Sequence, residues 1–127
     1  MKPAFDLPGH IFIALTLFFT VYGQLVMKWQ MSGAGPLPAD AIAKMLFLLK
    51  QLLNPWIISG FFSAFLASLA WMAAMTRFDL SYSYPFMSLA FVIVMVIGAT
   101  FLGESINLSK IIGTAMVIGG LVVIARA

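Results

Sequence analysis

The feature that most constrains this chain is a stretch of 24 residues, 80–103, that contains no charged side chain. As an α-helix it is long enough to cross a hydrocarbon core of roughly 30 Å. Its first nine residues nevertheless contain three serines, two tyrosines and one proline. Helical spacing gives Tyr84 and Ser88 one face together with Ala99 and Gly103, so this face is polar at one end and small at the other. A helix that contacts only lipid does not need such a face, and the pattern therefore predicts a polar surface inside a membrane protein.

The overall composition agrees with a chain that lies in a bilayer. Hydrophobic residues make up 63% of the sequence and charged residues only 9%, and the mean hydropathy is +1.08. Such values exclude a water-soluble globular domain. The net charge of +3 comes from scattered basic residues, which argues against a nucleic-acid-binding surface. The chain has no cysteine, so it has neither a disulfide framework nor a thiolate metal site.

Four apolar stretches have the length and spacing of membrane-spanning helices, and they lie at about residues 8–30, 55–75, 80–103 and 110–125. Asn54 and Pro55 form a strong start signal for the second, because Asn caps a helix and Pro suits its first position. The sequence therefore predicts an all-α integral membrane protein with a single four-helix domain over residues 1–127.

A further helix is expected between the first two spans. Residues 40–53 carry apolar side chains at helical spacing, with Lys44 and Gln51 off the apolar stripe. This pattern is typical of a short amphipathic helix at the membrane interface. A lead-in to the second span is the alternative.

The first span carries a carboxamide and a cation. Gln24 lies at the edge of an arc formed by Thr16, Thr20 and Gly23, and Lys28 follows one turn later. Transfer of an unpaired amide from water into hydrocarbon costs several kcal/mol of free energy, so Gln24 should face protein, a cavity or a polar ligand. A hydrogen bond between helices and contact with a ligand are both open for this residue. Lys28 is expected to extend to the lipid headgroups, with contact to an anionic headgroup as the functional alternative.

Small residues and one large ring characterise the other spans. Trp71 shares an arc of the second span with small residues, where it serves either as an interfacial anchor or as a ring beside a cavity. Glu104 at the end of the third span is expected to be a solvated or capping charge rather than a proton carrier. The residues expected to pack or bend helices, within or between subunits, are Gly23, Gly60, Pro85, Ala99, Gly103, Gly113, Gly119 and Gly120.

The patterns of common enzymes are missing from the sequence. It has no glycine-rich phosphate loop, no pair of carboxylates at catalytic spacing and no cluster of metal ligands. His10 is the only histidine, and a lone imidazole near a span end is expected to be an interface residue, since a metal site needs several donors. We therefore expect no catalytic residues, no metal and no cofactor, and a protein that is not an enzyme.

Three stretches carry a resemblance to a known family. They are YGQLVMKW at 22–29, AWMAAMTRFDLSYSYPFMSLAF at 70–91 and FLGESINLSKIIGTAMVIGGLVVI at 101–124. These stretches resemble the drug/metabolite transporter superfamily in its four-helix, small multidrug resistance-like form. The amphipathic insertion after Gly33 lies outside the resemblance.

Two groups within that superfamily share features with this chain. Proton-coupled small multidrug exporters carry a membrane-embedded Glu where this chain has Thr20. The chain is also similar to subunits of the aminoarabinose-phosphoundecaprenol flippase and to related EamA-type transporters. The residues that carry this similarity are Gly23, Gln24, Tyr84, Pro85, Ser88 and Leu89. That similarity implies movement of a polyprenyl-phosphate-linked sugar across the bacterial inner membrane by a homodimer or a heterodimer with a related subunit.

The chemistry of the candidate residues suits that implication. Gln24, Tyr84 and Ser88 can form hydrogen bonds with a sugar or a phosphate, Trp71 can stack on a sugar face, and Lys28 can contact the phosphate. The expected ligands are thus a lipid-linked saccharide or similar amphiphile together with membrane lipids. Two alternatives stay open, a small multidrug or metabolite exporter and a non-transporting membrane partner subunit.

Overall fold

The computed structural model describes residues 6–126, and all the regular elements in that range are helical. In chain order they are α1 (Leu7–Ser32), α2 (Ala41–Gln51), α3 (Pro55–Met75), α4 (Leu80–Ser83), a 3₁₀ turn (Tyr84–Met87), α5 (Ser88–Phe101) and α6 (Leu108–Ala125). Four segments are long and apolar enough to span a membrane, namely α1, α3, the third span Leu80–Phe101 and α6. These four segments confirm the all-α membrane fold class. Residues 1–5 and 127 of the expected domain lie outside the described range.

Side chains cap the helices and join two of them. Pro55 begins α3 directly after Asn54, whose Oδ1 accepts a hydrogen bond from the Trp56 backbone N–H at 2.9 Å. The Nδ2 of Asn54 also donates to Gln30 Oε1 at 2.8 Å, which connects the start of α3 to the last turns of α1. Side chains also cap α1, α2 and α6, at Asp6, Asp40 and Asn107.

The closest helix packing is between α1 and α3. A Cβ at Gly23 would lie 3.1 Å from the Gly60 carbonyl oxygen, and a Cβ at Gly60 would lie 3.5 Å from the Gly23 oxygen. The two backbones approach so closely because neither residue has a side chain. Two hydrogen bonds join the same helices, from Ser63 Oγ to the Phe19 carbonyl at 2.7 Å and between Tyr22 and Ser59 hydroxyls at 2.9 Å.

The third span is irregular around Pro85. The chain passes from α4 through the 3₁₀ turn into α5 because proline has no N–H to donate. Ser88 Oγ donates to the Pro85 carbonyl at 2.6 Å. Ser83, just before the turn, is fully buried, and its Oγ has no hydrogen-bond partner among residues 6–126.

The third span ends earlier than the sequence suggests. Its last helical residue is Phe101, and Gly103 lies in the following turn with φ +70°, where glycine is favoured. Gly103 is therefore not on the helical face that Ala99 occupies. The turn brings the Glu104 backbone N–H to the Gly98 carbonyl at 3.1 Å.

The helices α2 and α6 make few internal contacts. No residue of α2 is buried, and its location at a membrane interface stays a prediction. On α6, Thr114 and Leu121 are buried, and Thr114 Oγ1 contacts Met95 Sδ at 3.4 Å. The glycines of α6 have open space where a Cβ would stand, at Gly113, Gly119 and Gly120.

Polar and aromatic contacts close the end of the bundle where α1 begins. His10 Nδ1 lies 2.7 Å from the Asp6 carbonyl oxygen, and His10 Nε2 lies 2.9 Å from the Tyr82 hydroxyl. Arg77 Nη1 forms an ion pair with Asp6 Oδ1 at 3.2 Å. His10 therefore connects α1 to the third span, a role that the sequence alone does not indicate.

Candidate functional site

A cleft of about 790 Å³ opens between α1, α3 and the first part of the third span. Four of the five expected substrate-binding residues line it, namely Gln24, Trp71, Tyr84 and Ser88. The fifth, Lys28, is not among the lining residues. The helix arcs seen in the sequence converge here because the Gly23–Gly60 contact turns the small faces of α1 and α3 toward each other.

Gln24 stands on α1 with an exposed side chain. Within residues 6–126 its carboxamide forms no hydrogen bond. A hydrogen bond between helices was one of the two roles that the sequence left open for Gln24, and residues 6–126 of this subunit do not form it. A primary amide offers two donor hydrogens and an acceptor oxygen, and in Gln24 all of these are available to a ligand in the cleft.

Trp71 and Tyr84 form an aromatic pair in the cleft. Their ring centroids are 6.1 Å apart and the ring planes are inclined by 78°, an edge-to-face arrangement. Tyr84 is 65% exposed, and its hydroxyl has no hydrogen-bond partner in the described part of the chain. The pair thus presents a broad ring and a free phenol to the same space.

The hydroxyl groups of the cleft differ in availability. Ser88 and Thr16 donate to the carbonyls of Pro85 and Phe12, so each offers mainly its lone pairs to a ligand. Thr20, where proton-coupled exporters carry Glu, lines the cleft without a hydrogen bond inside the described range. None of the described residues that line this cleft carries a formal charge at neutral pH.

Lys28 instead lies near the end of the third span. Its Nζ is 4.0 Å from Glu104 Oε1, and the two side chains are 58% and 43% exposed. Glu104 lines a second cavity of about 320 Å³ together with Gln24 and Lys110. Gln24 therefore borders both spaces.

A residue in contact with Glu104 was missed from the sequence. Gly98 is buried, and a Cβ there would lie 2.9 Å from Glu104 Oε2. The absent side chain provides room for the carboxylate against α5. The available signal was a glycine inside an uncharged helix shortly before an acid, although the contact also depends on the turn at Gly103.

Among residues 6–126, no three His, Asp or Glu side chains lie together in a way that can hold a metal ion. The cleft gathers hydroxyl, amide and aromatic groups, and the second cavity adds the carboxylate of Glu104 and the ammonium group of Lys110. They are suited to hydrogen bonding and charge pairing with a polar ligand.

Comparison with known proteins gives relatives along almost the whole chain. ArnE of Pseudomonas fluorescens Pf-5 is named a probable 4-amino-4-deoxy-L-arabinose-phosphoundecaprenol flippase subunit and is 28% identical over 116 residues, 91% of this chain and 96% of the relative. ArnF proteins, named probable subunits of the same flippase, are 25% identical in Enterobacter sp. 638 (91% and 93% coverage) and 27% identical in Serratia proteamaculans 568 (88% of each chain).

The family model gives the broadest match. No solved structure matches the chain. The model of the EamA-like transporter family matches residues 7–126, which include all four spans. This chain therefore belongs to the EamA-like transporter family.

Proposed function

We propose that this protein is a subunit of a transporter that moves a polyprenyl-phosphate-linked sugar between the leaflets of a bacterial inner membrane. The observation that carries the proposal is the convergence of Gln24, Trp71 and Tyr84 on one cleft between three helices. The names of the ArnE and ArnF relatives support the same class of substrate.

The cleft suits a polar headgroup whose apolar tail stays in lipid. The free amide of Gln24 and the free phenol of Tyr84 replace hydrogen bonds that a sugar loses when it leaves water. The Trp71 ring offers an apolar face for the ring hydrogens of a sugar. Lys28, one turn beyond Gln24, is assigned to the phosphate as the headgroup reaches the end of the cleft.

The described residues that line the cleft are all neutral, and this favours hydrogen-bonded passage over ion exchange. Exchange of a proton for a cation needs an ionisable group that binds each in turn. The described cleft-lining residues have no carboxylate, and Thr20 stands where the related exporters carry one. A sugar phosphate can cross with hydrogen bonds from neutral side chains and a cation at one end.

We also assign the transporter a second subunit, either a copy of this chain or a related one. The glycines of α6 leave open space on two faces, at Gly113 and Gly120 on one and at Gly119 on the other. Faces of small residues let a neighbouring helix approach closely in a membrane. The word subunit in the names of the relatives agrees with such a pair.

The test replaces the two free polar groups of the cleft. Gln24→Ala and Tyr84→Phe are expressed in cells that lack the native chain, and lipid-linked sugar in the outer leaflet is measured at equal expression. Each loss of a hydrogen bond worth about 0.5–1.5 kcal/mol should lower delivery roughly 2- to 12-fold. The matched control Gln51→Ala removes the same carboxamide outside the cleft and should retain delivery.

Two results would contradict the proposal. One is unchanged delivery by the double variant Gln24→Ala/Tyr84→Phe at normal expression. The other is proton-linked uptake of a cationic dye into proteoliposomes without any transfer of the lipid-linked sugar, which is the behaviour of a small multidrug exporter.

A further inference from the structure

The short helix α2 makes few contacts with the rest of the bundle. It has 11 residues, and none of them is buried. An isolated helix of this length is only marginally stable in water, because few backbone hydrogen bonds follow its costly first turn. The cap at Asp40, whose Oδ2 accepts from the Ala43 N–H at 3.0 Å, satisfies one end and leaves the side chains uncovered. We therefore expect a surface outside the subunit to stabilise α2.

One side of α2 is an exposed apolar stripe. Its members share a helical face, and their exposed fractions run from 51% to 79%, at Ile42, Met45, Leu46, Leu49 and Leu53. The subunit thus leaves more than half of each residue's surface uncovered. A helix with such a stripe binds a membrane surface by burying its apolar side chains at the boundary between headgroups and acyl chains.

The connection to α3 keeps α2 at the level of the membrane surface. Residues 52–54 form a tight turn, in which each N–H donates to the carbonyl three residues earlier at 3.0–3.1 Å. Trp56, in the first turn of α3, packs edge-to-face with Trp29 near the end of α1, and the ring centroids are 5.2 Å apart. Tryptophan is enriched at the membrane–water interface. This pair therefore marks the headgroup level, and α2 ends one short turn before it.

The formal charges of α2 are all positive. Lys44 and Lys50 lie on opposite flanks of the apolar stripe, and α2 contains no acidic residue. Neither lysine forms an ion pair within residues 6–126. Two unpaired cations beside an apolar stripe match a surface that presents negative charge above hydrocarbon.

We propose that α2 binds the anionic lipid headgroups of the adjacent membrane leaflet, with the apolar stripe among the acyl chains and Lys44 and Lys50 at the lipid phosphates. The partner is the bilayer that holds the four spans, because the connection to α3 keeps α2 within reach of it. This inference goes beyond the proposed function, since the surface lies outside the cleft and does not depend on the transported headgroup. Each lysine near an anionic surface should strengthen the binding of α2 about fivefold.

Hydrogen exchange in the full-length protein tests the proposal. The protein is placed in nanodiscs of phosphatidylcholine alone and in nanodiscs of equal parts phosphatidylcholine and phosphatidylglycerol, and mass spectrometry follows the backbone amides of α2. In the anionic nanodiscs these amides should exchange roughly 30-fold more slowly, because two lysines contribute about fivefold each. Amides of α3 should exchange at the same rate in both nanodiscs and show that the fold is intact.

Charge variants identify the lysines as the cause. In Lys44→Gln/Lys50→Gln the amides of α2 should exchange at similar rates in the two nanodiscs, because the stripe remains and the charge does not. The matched control Lys44→Arg/Lys50→Arg keeps both charges and should retain the difference between the lipids.

Three results would overturn this inference. They are equal exchange of α2 in the two nanodiscs, a lipid difference that survives Lys44→Gln/Lys50→Gln, and slow exchange of α2 only in nanodiscs that hold two copies of the chain. The last result would show that a second copy covers the stripe. Delivery of lipid-linked sugar tests the cleft separately, so a failure here leaves the proposed function standing.

Discussion

At the scale of single residues, glycines serve three distinct purposes in this chain. Gly23 permits backbone contact between α1 and α3, Gly98 makes room for a carboxylate, and Gly103 adopts a positive φ that ends a span. The glycines of α6 have no close neighbour in the subunit. Glycine content alone therefore does not identify a packing surface, because the same residue type is used for close approach, for space and for a turn.

Enlarging Gly23 should destabilise the subunit. In Gly23→Leu the new side chain meets the Gly60 carbonyl, which lies 3.1 Å from an ideal Cβ and belongs to a helix backbone that cannot move alone. We expect a loss of about 1–3 kcal/mol, measured as a lower midpoint of thermal unfolding in detergent. Gly33→Leu, whose Cβ has its nearest neighbour at 3.8 Å, is the control. Equal midpoints for both variants would contradict the close packing of α1 and α3.

Periodicity predicted the cleft residues and missed the charged cavity. Gln24, Tyr84 and Ser88 fall on helical arcs that can be read along the chain, and they line the cleft. Their roles in binding stay predictions. Gly98 and the position of Glu104 depend on a turn that reverses the chain after α5, and periodicity within one helix contains no information about such a reversal.

At the scale of elements, the third span shows how one proline shapes a binding surface. The 3₁₀ turn at Tyr84–Met87 separates α4 from α5, and its tighter winding sets the direction in which Tyr84 projects. The start of α3 was predictable because Asn54 and Pro55 act locally. The end of the third span was not predictable, because the uncharged residues continue past Phe101. The helix ends there because the chain turns at Gly103, whose φ is +70°.

Removing the proline should alter transport more than stability. Pro85→Ala restores a backbone N–H and permits a continuous α-helix, so the unfolding midpoint should stay equal or rise. Delivery of lipid-linked sugar should fall severalfold, because Tyr84 would turn away from Trp71. Pro55→Ala, at the first position of α3, is the matched control and should retain delivery. A fall in stability with normal delivery would show that the turn is only structural.

The cap of α3 should contribute through two separable bonds. Asn54→Ala removes the bond from Trp56 N–H and the bond to Gln30, and we expect a loss of about 1–3 kcal/mol in unfolding free energy. Asn54→Asp keeps the cap acceptor and removes only the donor to Gln30, so its loss should be smaller. Equal losses for Asp and Ala, measured by denaturant titration in detergent, would contradict a contribution from the cap.

At the scale of the whole molecule, the bundle is tightly packed on one side and open on the other. Contacts between α1 and α3 include backbone approach and hydrogen bonds, whereas α6 buries only Thr114 and Leu121 in the subunit. The number of spans followed from hydropathy alone. The unequal packing did not, because hydropathy does not distinguish a surface that faces lipid from one that faces another subunit.

Enlarging the glycines of α6 should weaken the proposed pairing without unfolding the subunit. In Gly119→Leu and Gly113→Leu the new side chains meet no atom of the same chain within 4 Å of the Cβ. If a helix packs on either face, overpacking by about 1–3 kcal/mol should raise the dissociation constant roughly 5- to 150-fold. Native mass spectrometry measures the pair, with Gly33→Leu as control, and unchanged dissociation in both variants would contradict pairing through α6.

The two ends of the bundle are held with different strength, and this difference has a mechanical consequence. At the His10 end, a short hydrogen bond to Tyr82 and an ion pair between Asp6 and Arg77 connect the start of α1 to its neighbours. At the other end, the exposed ion pair between Lys28 and Glu104, at 4.0 Å, joins α1 to the turn after the third span. Beyond the 3₁₀ turn, the 14 residues of α5 form a rod about 21 Å long. A rotation of about 5° at the 3₁₀ turn would therefore displace the Phe101 end of the rod by roughly 2 Å, while the contacts at the His10 end would stay in place.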